Sequence, residues 1–268
     1  MKKFLTATLL TSAMLFNTAT TFAKPAPDKD TIYQVALLQS LTLGYFDDVV
    51  TVKELKTHGD TGIGTFEGLD GEMIVLDGVV YRANRDCKIN VVADKVRVPF
   101  SNVTFFEKDF AVKLRNITDK NAFESALNAQ VDKYGINNFY MVKVHGDFTE
   151  VHVRSESGSV EPYPTLVEAL KSQNEITLQN ISGTLVGLYC PAFMSSLNST
   201  GWHFHFVSDD KKFGGHVLGL HIADAEAQFD KTAAFSMVLP KKENFQSLNF
   251  DVDLKEDIRK AEQDSVRS

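Results

Sequence analysis

Cysteine is scarce in this chain: Cys87 and Cys190 are the only two among 268 residues. They allow at most one internal bridge, and at this length a hydrophobic core can hold a fold without a disulfide framework. An excess of positive charge is also missing. Acidic residues outnumber basic ones 35 to 28, for a net charge of −7, which argues against a surface built for phosphate backbones or anionic lipid. Beyond the first two dozen residues no apolar run reaches the ~20 residues that a membrane-spanning helix needs. Internal repeats are absent and proline is infrequent at 7 residues. A chain that is 43% hydrophobic and 24% charged has an ordinary globular composition.

The first residues do carry a pattern. Lys2-Lys3 form a positive start, the stretch from Phe4 to Phe16 is mostly apolar and uncharged, and Thr21-Phe22-Ala23 sets small residues at the −3 and −1 positions of a cleavage site. Residues 1–23 are therefore expected to be a signal peptide, leaving an exported, soluble protein of net charge −9 in the periplasm or outside the cell.

The rest reads as α+β, with mixed and antiparallel sheets and flanking helices, because strand runs and helices occur without regular βαβ alternation. Two units are expected, a β-rich domain over 24–136 and a metal-binding domain over 137–268 that ends in a charged terminal helix. Thr31 to Phe46 carries apolar residues at helical spacing, and Asp77-Gly78 predicts a two-residue hairpin. Asp119 to Gly135 predicts a helix with Asp119 as its N-cap, and His145-Gly146-Asp147 reads as a turn between two strands.

Four of the seven histidines fall in GWHFHFVSDDKKFGGHVLGLH. On a strand, Trp202, Phe204 and Phe206 point one way and His203 and His205 the other. A hairpin centred between Asp210 and Lys211 sets His205 opposite His216, unless Gly214-Gly215 bulges the returning strand. Three imidazoles with a position left open form the ligand pattern of a catalytic zinc site. Zinc suits imidazoles without thiolates, and manganese, iron, cobalt or nickel could bind the same set. The plainer alternative is a polar strand face.

These residues resemble the α-acetolactate decarboxylases. The resemblance is carried by THGDTGIGTFEGLDGEM at 57–73, VPFSNVTFF at 98–106, ISGTLVGLYCPAF at 181–193 and GWHFHFVSDDKKFGGHVLG at 201–219. It implies a two-domain α/β fold, a homodimer, and zinc held by His203, His205 and His216. The small-molecule substrate it implies is 2-acetolactate, decarboxylated to (R)-acetoin and carbon dioxide through an enediolate. By the same resemblance Glu72, Arg154 and Glu262 would be catalytic: Arg154 on the substrate carboxylate, and the two glutamates at the metal and in delivering the proton. Taken alone, Glu72 is a turn carboxylate, Arg154 a strand-edge charge and Glu262 a solvated charge on a terminal helix. Two other readings fit a β-rich protein with this histidine pattern: a cupin-like metal oxygenase or isomerase, and a non-catalytic exported metal-binding protein.

Overall fold

A computed structural model describes residues 29–262, so the expected signal peptide lies outside the described residues. The chain runs β1 (Thr31–Val35), α1 (Leu38–Thr42), β2 (Val50–Thr51), α2 (Val52–Leu55), β3 (Thr61–Thr65), β4 (Glu72–Leu76), β5 (Val79–Ala83), β6 (Ile89–Val91), β7 (Arg97–Val98) and β8 (Ser101–Thr104). It continues through β9 (Phe110–Ile117), α3 (Lys120–Tyr134), β10 (Phe139–Ser155), α4 (Leu166–Leu170), β11 (Asn174–Cys190), β12 (Gly201–Ser208), β13 (Gly214–Thr232), β14 (Ala234–Val238), α5 (Glu243–Gln246) and α6 (Lys255–Glu262). Strands dominate and the helices other than α3 are short, an α+β architecture.

Seven strands form one sheet in the order β14-β1-β8-β3-β4-β5-β6. Its hairpin turn is the expected one: Asp77 and Gly78 have φ of 50° and 78°, and Leu76 pairs with Val79. The second sheet runs β10-β11-β12-β13-β9, and β10 also pairs with β13, so β10, β11, β12 and β13 close into a ring. Alternation sorts the ring's side chains. Tyr140, Val142, Val144, Phe204, Phe206 and Phe229 fill its inside, where Phe123, Leu127 and Val131 of α3 join them. Each fully buried side chain of this kind contributes on the order of 1.5–3 kcal/mol. Asp119 caps α3 as expected, accepting from the Ala122 amide at 2.8 Å.

The opposite face of the ring packs on the seven-stranded sheet: Met141, Val186, Leu188 and Val207 meet Ile32, Ile63, Ile74 and Leu76. A separate layer of α1, α4 and α6 joins through Leu38, Leu41, Leu166, Leu170, Ile258 and Ala261. The candidate site residues His203, His205, His216, Glu72, Arg154 and Glu262 lie where these three bodies meet.

Several expectations are corrected. The expected helix over 31–46 is a strand followed by the short α1, because β1 slots between β14 and β8 and Ala36, at φ 56°, ends it. The expected turn at 145–147 is the middle of the continuous β10. On either side of residue 136 the chain shares sheets: β9 pairs with β13, and β14 returns to the first sheet beside β1. Cys87 and Cys190 are both buried and free. Among the described residues no helix is long and apolar enough to cross a membrane.

Candidate active site

The β12–β13 hairpin has the expected register. His205 pairs with His216, Phe206 with Gly215 and Val207 with Gly214, so the double glycine does not shift it. Gly215 allows a close approach instead: a Cβ there would stand 2.3 Å from the Arg154 carbonyl oxygen. That approach puts His216 directly across from Arg154 on β10. His203 and His205 leave the ring on its outer face, since Trp202, Phe204 and Phe206 occupy the inner one.

The three imidazoles converge. His203 Nε2 lies 3.0 Å from His205 Nε2 and 3.0 Å from His216 Nδ1. The other ring nitrogens fix the tautomers. His205 Nδ1 lies 2.7 Å from the Met73 carbonyl and His216 Nε2 lies 3.2 Å from the Glu262 carbonyl. A carbonyl only accepts, so both nitrogens donate, and His205 Nε2 and His216 Nδ1 present lone pairs to one point. Burial pushes all three imidazoles toward the neutral form, His203 down to about 3 and His205 and His216 well below their ordinary value. Lone pairs converging in a buried place repel each other unless a cation takes them up. His203, His205 and His216 are thus fit to hold a metal ion.

Around them stand the other expected residues. Glu72 opens β4 after a turn in which Gly68, Leu69 and Gly71 all take positive φ. A Cβ on Gly71 would stand 2.3 Å from the Ala83 carbonyl oxygen, which is why glycine precedes the glutamate. Glu72 Oε2 lies 3.3 Å from His205 Nε2. Glu262, at the end of α6, brings Oε2 to 3.1 Å from His203 Nδ1, although out of line for a hydrogen bond. Arg154 is buried, with Nη1 donating to Gln173 Oε1 at 2.9 Å and Nη2 donating to the Ala261 carbonyl. Its Nε has no hydrogen-bond partner.

Sequence reasoning missed Glu156. It is buried, and its Oε1 stands 4.0 Å from Arg154 Nε. Burial, then the Glu156 charge, raise the Glu72 carboxyl well above the ordinary range; burial raises Glu156 too, against the pull of Arg154. Burial pushes Glu262 up to about 7 against the pull of Arg154. One signal could have found Glu156: it continues the alternation of His152 and Arg154, two residues beyond the arginine. A cavity joins all seven groups and is walled by Leu41, Leu69, Phe100, Leu166 and Leu170.

Residues 32–252 match the family described as alpha-acetolactate decarboxylase. The chain belongs to that family. The alpha-acetolactate decarboxylase of Methanosarcina mazei is 39% identical over 233 residues, which span 87% of this chain and 80% of that one. The alpha-acetolactate decarboxylase of Brevibacillus brevis is 36% identical, over 83% of this chain and 77% of its own. The crystal structure of the alpha-acetolactate decarboxylase from Bacillus subtilis strain 168 superposes with a TM-score of 0.84 at 33% identity, covering 87% of this chain and 99% of that one. Like the relatives that carry its name, this alpha-acetolactate decarboxylase family member is classed with the carboxy-lyases.

Proposed function

We propose that this protein decarboxylates 2-acetolactate to (R)-acetoin and carbon dioxide, with zinc held by His203, His205 and His216. The observation that carries the reading is one cavity in which three converging imidazoles, a buried guanidinium whose Nε makes no hydrogen bond and the buried Glu72 carboxyl meet. Metal storage needs neither of the last two.

Loss of carbon dioxide leaves an electron pair on the α-carbon, which the neighbouring ketone absorbs as an enediolate. A divalent cation, when bound, supplies the positive charge that polarises the ketone and hydroxyl oxygens. Arg154 holds the carboxylate, the geometry its planar guanidinium suits, and orients the bond to be broken against the ketone. Glu72, whose carboxyl burial raises well above the ordinary range, stands on the imidazole side of the cavity, where it can deliver a proton to one face of the α-carbon. Glu156 faces the Arg154 guanidinium from the same cavity. Glu262 fixes His216 through its carbonyl and faces His203 through its side chain. The apolar walls exclude water and accommodate the two methyl groups.

The reading extends to export, on the leader pattern of residues 1–23, and to a homodimer, on the family resemblance. It is tested by mixing the zinc-loaded protein with racemic acetolactate and resolving the acetoin on a chiral column. A single enantiomer in excess is expected, and no acetoin would contradict it.

A further inference from the structure

Arg154 is the inner end of a hydrogen-bonded chain that the reaction itself does not use. Its Nη1 donates to Gln173 Oε1 at 2.9 Å, Gln173 Nε2 donates to Glu175 Oε1 at 2.8 Å, and Glu175 Oε2 lies 3.0 Å from His152 Nε2. The amide has only one orientation that serves this chain. Its carbonyl must face the cation and its NH2 the anion, and a flipped amide would set like groups against each other at both ends.

The backbone holds each member in place. Gln173 follows α4, and its own N–H donates to the Leu170 carbonyl at 3.1 Å. Glu175 is the register partner of Arg154 across β10 and β11, and His152 lies two residues before Arg154 on the same strand face. On the other side Arg154 Nη2 is tied to the Ala261 carbonyl of α6. With both terminal nitrogens tied, the guanidinium plane is fixed, and Nε, 4.0 Å from Glu156 Oε1, is left without a hydrogen bond beside the cavity.

We propose that Gln173, backed by Glu175 and His152, is a positioning residue that sets the plane of the Arg154 guanidinium for the substrate carboxylate. The inference rests on the proposed function, in which Arg154 takes that carboxylate. Gln173→Met keeps the side-chain volume and removes both hydrogen bonds. Because a hydrogen bond to a charged group is worth roughly tenfold in binding, KM for acetolactate should rise about tenfold in Gln173→Met. The binding of acetoin, which lacks the carboxylate, and the zinc content should stay as in the unaltered protein. Glu175→Ala, which frees the amide to turn, should move KM in the same direction by about threefold, and provides the readout if Gln173→Met does not fold. An unchanged KM, or an equal loss of acetoin binding, would overturn the inference. If the unaltered protein releases no acetoin, the proposed function fails instead, and the two failures are distinct.

Discussion

His205 and His216 are direct register partners across the β12–β13 hairpin, and each has its outer ring nitrogen committed to a backbone carbonyl. Their inner nitrogens are therefore lone-pair donors before any ion arrives. Zinc added to metal-free protein should raise Tm, since a ligand at a thousandfold its Kd stabilises by about 4 kcal/mol. In His216→Ala the shift should vanish, with zinc affinity down by at least about two orders of magnitude, beyond what loss of a mere supporting contact costs. Differential scanning fluorimetry with equilibrium dialysis reads both. An undiminished shift in the variant would place the ion elsewhere.

Glu72 separates stability from catalysis. Burial raises its carboxyl well above the ordinary range, so its contribution to stability is complete below the unfolded-chain value and is lost as pH rises through the folded one. Gln mimics the protonated form at every pH. Metal-free Glu72→Gln should thus be at least as stable as the parent at pH 8, while kcat falls about 10²- to 10⁴-fold for want of the proton donor. Paired urea titrations and steady-state rates test this, and a variant that lost stability at pH 8 while keeping its rate would reverse the assignment.

The strand that presents the histidines depends on glycine across from it. Gly187 pairs with Phe204, and a Cβ there would stand 2.3 Å from the ring's Cδ1. Gly187→Ala should cost about 1–3 kcal/mol by overpacking. The displaced ring would also shift His203 and His205, so zinc affinity should fall together with Tm. Retention of both values would show that the ring has room to move.

Asp230 offers a pH test away from the metal. It is buried where β13 runs toward β14, accepts from the Glu107 amide at 3.3 Å, and burial pushes it up to about 7. The folded protein then binds a proton that the unfolded chain releases near 4, so stability should fall as pH rises from about 4 to 7. Asp230→Asn should flatten that slope and raise Tm at pH 8 relative to the parent. Parallel Tm-against-pH curves would expose the error if the variant kept the parent's slope.

Much of the site was legible because its signals are local. The alternation in WHFHF and the Ser208–Lys212 reversal fix which residues share a face and which pair, and both need only neighbours in sequence. Helix α3 was legible for the same reason, with its cap and its one apolar face inside a single segment. What depended on distant partners was not. Ile32, Val35 and Leu38 fit a helical period, yet β1 takes its conformation from β8 and β14, the latter about 200 residues away. Gly146-Asp147 looked like a turn, although the glycine is there because β13 presses so close that a Cβ would stand 2.2 Å from the Asp224 carbonyl oxygen. Gln173 is a lone polar residue, and nothing beside it in sequence announces the arginine it serves, whereas Glu156 was marked only by its place two residues beyond Arg154 on the same strand face.

The central claim is that the histidine site and Arg154 act together on one anionic substrate. Acetoin release from racemic acetolactate, followed as zinc is titrated into metal-free protein, tests it most directly. The account predicts activity rising in proportion to bound zinc and levelling at one ion per chain, with Arg154→Met binding the same ion and releasing almost no acetoin. Full activity in the metal-free protein, or an undiminished rate in Arg154→Met, would contradict it.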